Sequence, residues 1–159
     1  MAELINPEKA RETFETICRT LESHDWKYHK DAEKLLIGCS ARGEDLPMEL
    51  TIRVDENRSV VIMFSRMPFV IQEDKRLDLA MAIAAVNNSL VDGCFDYDIG
   101  TGNIFFRITN NFVDSTLGEA VFGYMLFCAC RTIDDYNDKF LMLSKGTLSV
   151  EQFLAELGS

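Results

Sequence analysis

The chain has 159 residues, 47% hydrophobic and 26% charged, which fits one soluble globular domain able to bury a substantial core and excludes a disordered chain. Lys and Arg number 16 against 26 Asp and Glu, a net charge of −10 that opposes binding to nucleic acid or an anionic membrane and favours solubility or a basic protein partner. No apolar run approaches the ~20 residues that span a bilayer. The polar opening MAELINPEKARE lacks the apolar stretch of a signal peptide, so the expected location is the cytoplasm. Five cysteines, an odd number without CxxC spacing, suit a reducing compartment.

Asn6-Pro7-Glu8 starts a helix: Asn as N-cap, Pro at the first helical position, an acid in the first turn. Phe14, Ile17, Cys18 and Leu21 form its apolar stripe, and it should end near Leu21 to Ser23. A run of strands follows: Trp26 to Tyr28, Lys34 to Ala41, Met48 to Val54 with clean alternation, and Ser59 to Ser65, apolar on both faces. A strand of that last kind is central and covered on both sides, or it reaches an interface. A second helix runs from Glu73 to about Leu90, with Leu77, Ala80, Met81, Ala84, Asn87 and Leu90 along its apolar face, widened by Ile83 and Val86. Gly93 is placed as its left-handed cap.

Cys94 to Thr109 reads as a β-hairpin around Gly100-Thr101-Gly102-Asn103. With Thr101 and Gly102 as the loop, Ile99 pairs with Ile104, Tyr97 with Phe106 and Phe95 with Ile108 on an apolar face. On the other face Asp98 meets Phe105, and Asp96 lies opposite Arg107 as a cross-strand ion pair. Asn110 to Thr116 is expected to be loop. From Thr116 to about Ser144 the pattern is helical, with Leu117, Val121, Tyr124, Cys128 and Tyr136 recurring, Ile133, Phe140 and Leu143 close by, and a bend expected between Thr132 and Asn137. Unbroken, it would reach roughly 43 Å at ~1.5 Å per residue. Gly146 ends it, and Ser149 opens a short last helix with a capping box. The order is that of an α+β fold with a twisted, mainly antiparallel sheet and helices packed on it, in one domain over 1–159.

The chemistry-bearing residues are few. Asp96-x-Asp98 share a strand face and could hold a divalent cation, but the longer calcium-loop pattern with its closing Glu is absent. His24 and His29 have no cysteine close in sequence to complete a zinc site. No nucleophile elbow or P-loop occurs, and no triad can be assembled. No catalytic, cofactor-binding or metal residue is therefore assigned. Phe105, the one aromatic on the polar face of the hairpin, and Met63, on the strand apolar on both faces, are the candidate interface residues.

The stretch Asn87-Asn88-Ser89-Leu90-Val91-Asp92-Gly93-Cys94-Phe95-Asp96-Tyr97-Asp98, followed by Gly102-Asn103-Ile104-Phe105-Phe106-Arg107, resembles the YbjN family, described as bacterial sensory transduction regulators. Gly93, Phe95, Asp96, Tyr97, Gly102, Phe106 and Arg107 carry that signature, which is structural and not catalytic. The specific residues cover only about Asn87 to Arg107, while element order extends the likeness over most of the chain. The family is similar in fold to type III secretion chaperones, small and often homodimeric α+β proteins that hold extended partner segments. The resemblance therefore implies a non-enzymatic protein-binding module, chaperone-like or regulatory, without cofactor, that forms a homodimer. The alternative is a small-ligand or divalent-metal-dependent enzyme using Asp96 and Asp98.

Overall fold

The computed structural model describes residues 5–158. Residues 1–4, part of the stretch read for a signal peptide, lie outside them. Helix α1 (Pro7–Ser23) is followed by strands β1 (Tyr28–Asp31), β2 (Leu36–Arg42), β3 (Pro47–Asp55) and β4 (Val60–Arg66). A single 3-10 turn (Glu73–Lys75) leads into α2 (Arg76–Ser89), then β5 (Cys94–Asp98), β6 (Asn103–Asn111), α3 (Glu119–Lys145) and α4 (Val150–Leu157). The six strands form one sheet in the order β1-β2-β3-β4-β6-β5, and every pairing is antiparallel.

Local chemistry explains the helix ends. The Asn6 carboxamide accepts the Lys9 N–H at 3.0 Å, and Pro7 follows it. Gly146 closes α3 at φ 72°, where the Gly146 and Thr147 N–H groups reach Leu143 O and Met142 O. Ser149 and Gln152 exchange hydrogen bonds in the expected capping box. Trp26 is not in a strand: its N–H donates to Leu21 O in a tight turn with Asp25 at φ 58°, and β1 begins two residues later.

Three hairpin turns share one design. Asp31, Asp55 and Asp98 each end a strand and use one carboxylate oxygen to accept the N–H groups two and three residues on. The acceptors hold Glu33 and Lys34 at 3.1 Å each, Asn57 and Arg58 at 3.1 and 3.3 Å, and Gly100 and Thr101 at 2.9 and 3.3 Å. The fourth residue on, Leu35, Ser59 or Gly102, takes a positive φ of 51°, 50° or 77° and returns the chain. Four-residue loops of this kind are built around a type I turn.

This turn corrects the expected hairpin register. Ile99–Gly102 form the loop, so Asp98 faces Asn103, Tyr97 faces Ile104, Asp96 faces Phe105 and Phe95 faces Phe106. The pairing has slipped by two residues, which leaves every side chain on its predicted face. Ile99 does not pair with Ile104; it sits in the turn, 47% exposed. Gly102 is required twice over, by its φ and because a Cβ there would lie 2.4 Å from Ile71 O.

The core lies on one face of the sheet. Ile37, Leu50, Ile52, Val61, Met63, Ile104 and Phe106 point into it, beneath α1 and α3. Two predicted helix faces need correction. In α2 the buried residues are Leu79, Ala82, Ile83 and Val86, while Leu77 and Met81 are exposed. This helix is apolar nearly all round, so periodicity could not select the buried side. In α3 the buried line is Phe122, Met125, Leu126, Ala129, Ile133, Asn137, Phe140 and Leu143, with Val121 and Tyr124 exposed. α3 starts three residues later than expected and runs 27 residues without a break, through the polar stretch Thr132 to Asn137. Gly93 does not cap α2, which ends at Ser89 with Leu90 as its C-cap; the Gly93 φ of 76° turns the chain into β5, where a Cβ would lie 2.5 Å from the Phe106 ring.

Candidate interaction face

With helices on one side, the alternate residues of each strand form an opposite face that no described element covers. Its residues follow from the register. Val60, Ile62 and Phe64 run along β4, near the centre of the sheet, each half-buried between its neighbours. Across them, Thr51 faces Phe64 and Phe64 faces Arg107; Arg53 faces Ile62 and Ile62 faces Thr109. Phe105 continues the apolar surface, facing Arg66 on β4 and Asp96 on β5. The expected two-sided apolarity of this strand is thus real, with its second side left open.

Polar pairs border the stripe. Arg107 grips Asp96 in bidentate fashion, Nε to Oδ2 at 2.6 Å and Nη2 to Oδ1 at 2.9 Å. The bond to Arg107 lowers the Asp96 carboxyl below its ordinary value. Arg107 Nη2 also lies 3.3 Å from Cys94 Sγ, whose thiol is raised first by burial and then by Asp96. Arg53 pairs with Asp55 at 3.5 Å, Arg66 donates to Asn103 Oδ1, and Ser40 donates to Glu49 at 2.9 Å. The His29 ring lies over Gly38, where a Cβ would sit 2.3 Å from it.

The ion pair of Asp96 with Arg107 forms as expected, but diagonally, because the register sets Asp96 opposite Phe105. Asp98 does not join Asp96. Its Oδ1 accepts two turn amides and its Oδ2 accepts the Thr101 hydroxyl at 2.7 Å, which lowers its pKa. Both carboxylates are therefore spent on protein partners. His24 Nδ1 meets Thr20 O at 2.9 Å at the end of α1. Among the described residues no three His, Cys, Asp or Glu side chains gather as metal ligands. Of the two expected interface residues, Phe105 stands on the open face. Met63 does not: it points into the core, 0% exposed, because the residues of β4 alternate and Ile62 and Phe64 take the open side.

One contributor escaped sequence reasoning. Asn87 of α2 binds the edge of β5 through both ends of its amide, Nδ2 to Phe95 O at 2.9 Å and the Phe95 N–H to Oδ1 at 2.8 Å. It occupies the position of a missing strand partner and closes that edge to further pairing. Tyr97 reinforces this contact by donating its hydroxyl to Arg76 O at 3.2 Å. A groove of about 530 Å³ lies between the β2–β3 turn and α3, where the Glu44 N–H binds both oxygens of Asp134 at 3.0 and 3.1 Å.

These features define an α+β domain with one helix-covered sheet face and one bare face striped with apolar side chains. A family profile described as "YbjN: Putative bacterial sensory transduction regulator" matches residues 13–142, and the chain belongs to the YbjN family. A solved structure, "Crystal structure of YbjN, a putative transcription regulator from E. coli", is similar in fold: TM-score 0.57, 10% identity, covering 77% of this chain and 87% of the other. No curated protein matches the sequence. No helix among the described residues is long and apolar enough to cross a membrane.

Proposed function

We propose that this chain is a non-enzymatic regulatory module of the cytoplasm that binds other proteins in a chaperone-like manner, as a homodimer. The observation that carries this reading is the bare sheet face. Val60, Ile62, Phe64 and Phe105 form a contiguous apolar strip on a chain whose net charge of −10 otherwise favours solvent. An extended apolar segment of a partner can lie along β4, flanked by the Arg107–Asp96 and Arg53–Asp55 pairs. The metal-enzyme alternative loses its support, since Asp96 and Asp98 already bind Arg107 and the turn.

Photo-crosslinking amino acids placed at Ile62 and Phe105 in the native cell test this reading. Adducts of protein mass from both sites, with none from the exposed turn residue Lys34, are expected. Equal labelling at all three sites, or none at Ile62 and Phe105, would overturn it.

A further inference from the structure

Helix α3 carries a second uncovered face, and one residue on it has no use within the chain. Gly123 lies inside the helix, and a Cβ there would meet nothing within 4 Å. A glycine in a helix interior costs about 1 kcal/mol relative to alanine. Neither a positive φ nor a close neighbour within this chain demands that cost. One turn on stands Phe127, 61% exposed, with Tyr124 beside it at 54%. The tip of Tyr124 is held, its hydroxyl donating to Asp92 Oδ2 at 2.6 Å. A gap and an aromatic knob thus sit one turn apart on the same open surface.

We infer that this face packs against the same face of a second copy, the two α3 helices running antiparallel about a two-fold axis level with Met125. Phe127 of each chain then enters the gap at Gly123 of the other, so the contact is made twice by one pair of residues. The same axis brings Arg131 of each chain, which pairs with Asp135 of its own chain at 3.8 Å, level with Glu119 of the other, so that at both ends of the contact the guanidinium lies between two carboxylates. A parallel arrangement would set Phe127 on Phe127 and Arg131 on Arg131. It would also align the two acidic segments at Asp134, Asp135 and Asp138, which the antiparallel arrangement sends to opposite ends. Self-complementary shape and charge therefore select a second copy of this chain as the occupant. The inference rests on the homodimer part of the function proposed above and names its interface, leaving the sheet face free.

Sedimentation equilibrium of the full chain, with Gly123→Leu and Phe127→Ala, tests it. The wild type should weigh about twice its 18.1 kDa at high concentration, and both variants should weaken the dimer at least tenfold. Where all three are monomers, Gly123→Leu should melt no lower than wild type, because leucine is the better helix former and the site is open. A wild type that stays monomeric overturns both this interface and the homodimer. A Gly123→Leu chain that stays dimeric overturns this interface alone. A lower monomer melting temperature for Gly123→Leu would show that the gap is used within the chain and would also overturn it.

Discussion

Arg107 donates two short charge-assisted hydrogen bonds to Asp96, yet the Asp96 and Arg107 side chains are 45% and 41% exposed, so solvent screens the pair. Its contribution should be about 0.5–1 kcal/mol. Because the Asp96 carboxyl is lowered in the folded state, that stability is present above the ordinary carboxylate pKa of about 4 and is lost as the pH falls through the folded value. Urea unfolding of Asp96→Asn should show this deficit at pH 7 and a shrinking one below about pH 4. Gly102 is less forgiving. Alanine there meets both a left-handed backbone and the Ile71 carbonyl, so Gly102→Ala should cost more than the ~1–2 kcal/mol of the conformation alone, read from the shift in unfolding midpoint. The sequence indicates that a glycine is needed in this turn. It cannot show the Ile71 backbone, which arrives from 31 residues earlier and hydrogen-bonds Gly102 O at 2.9 Å.

At the level of elements, two side-chain amides, Asn87 half-buried and Asn137 buried, invite opposite predictions. Asn87 joins α2 to the edge of β5 through two hydrogen bonds, so Asn87→Ala should cost about 2 kcal/mol and leave a strand edge open to pairing. A fall in unfolding free energy together with increased light scattering on storage would check this. Asn137 is 1% exposed within α3, and neither its Oδ1 nor its Nδ2 has a hydrogen-bond partner among the described residues. Asn137→Leu should therefore raise stability by about 1–3 kcal/mol, measured by denaturant unfolding. The polar character of Thr132 to Asn137 suggests a bend. The helix runs through this stretch unbroken and buries Asn137, which lies on the same buried line as Ile133, Phe140 and Leu143. The β5–β6 register failed for a different reason. Asp98 looks like a solvent-facing strand residue, and only its repeated role with Asp31 and Asp55 reveals it as the first residue of a four-residue turn.

Over the whole molecule, the helix-covered sheet face shelters two of the five free cysteines, Cys18 and Cys39. Burial raises both thiols, Cys39 to about 12. In a thiol titration at pH 8 these two should stay unreactive until urea unfolds the domain, their labelling following the unfolding curve. The bare face and the exposed face of α3 lie on different parts of the surface, which lets a dimer keep its sheet faces available for partners.

The sequence by itself determined the α+β class, the order of the elements, the helix caps at Asn6, Gly146 and Ser149, the strand apolar on both sides and the pairing of Asp96 with Arg107. These rest on local chemistry and on alternation that survives a two-residue slip. Only the tertiary structure decided which side of α2 and α3 is buried, that Met63 faces the core while Phe105 faces out, and that Asn87 closes the sheet edge. Those outcomes depend on which surface packs on which, and an apolar residue on a helix reads the same whether it meets a sheet, a second chain or water.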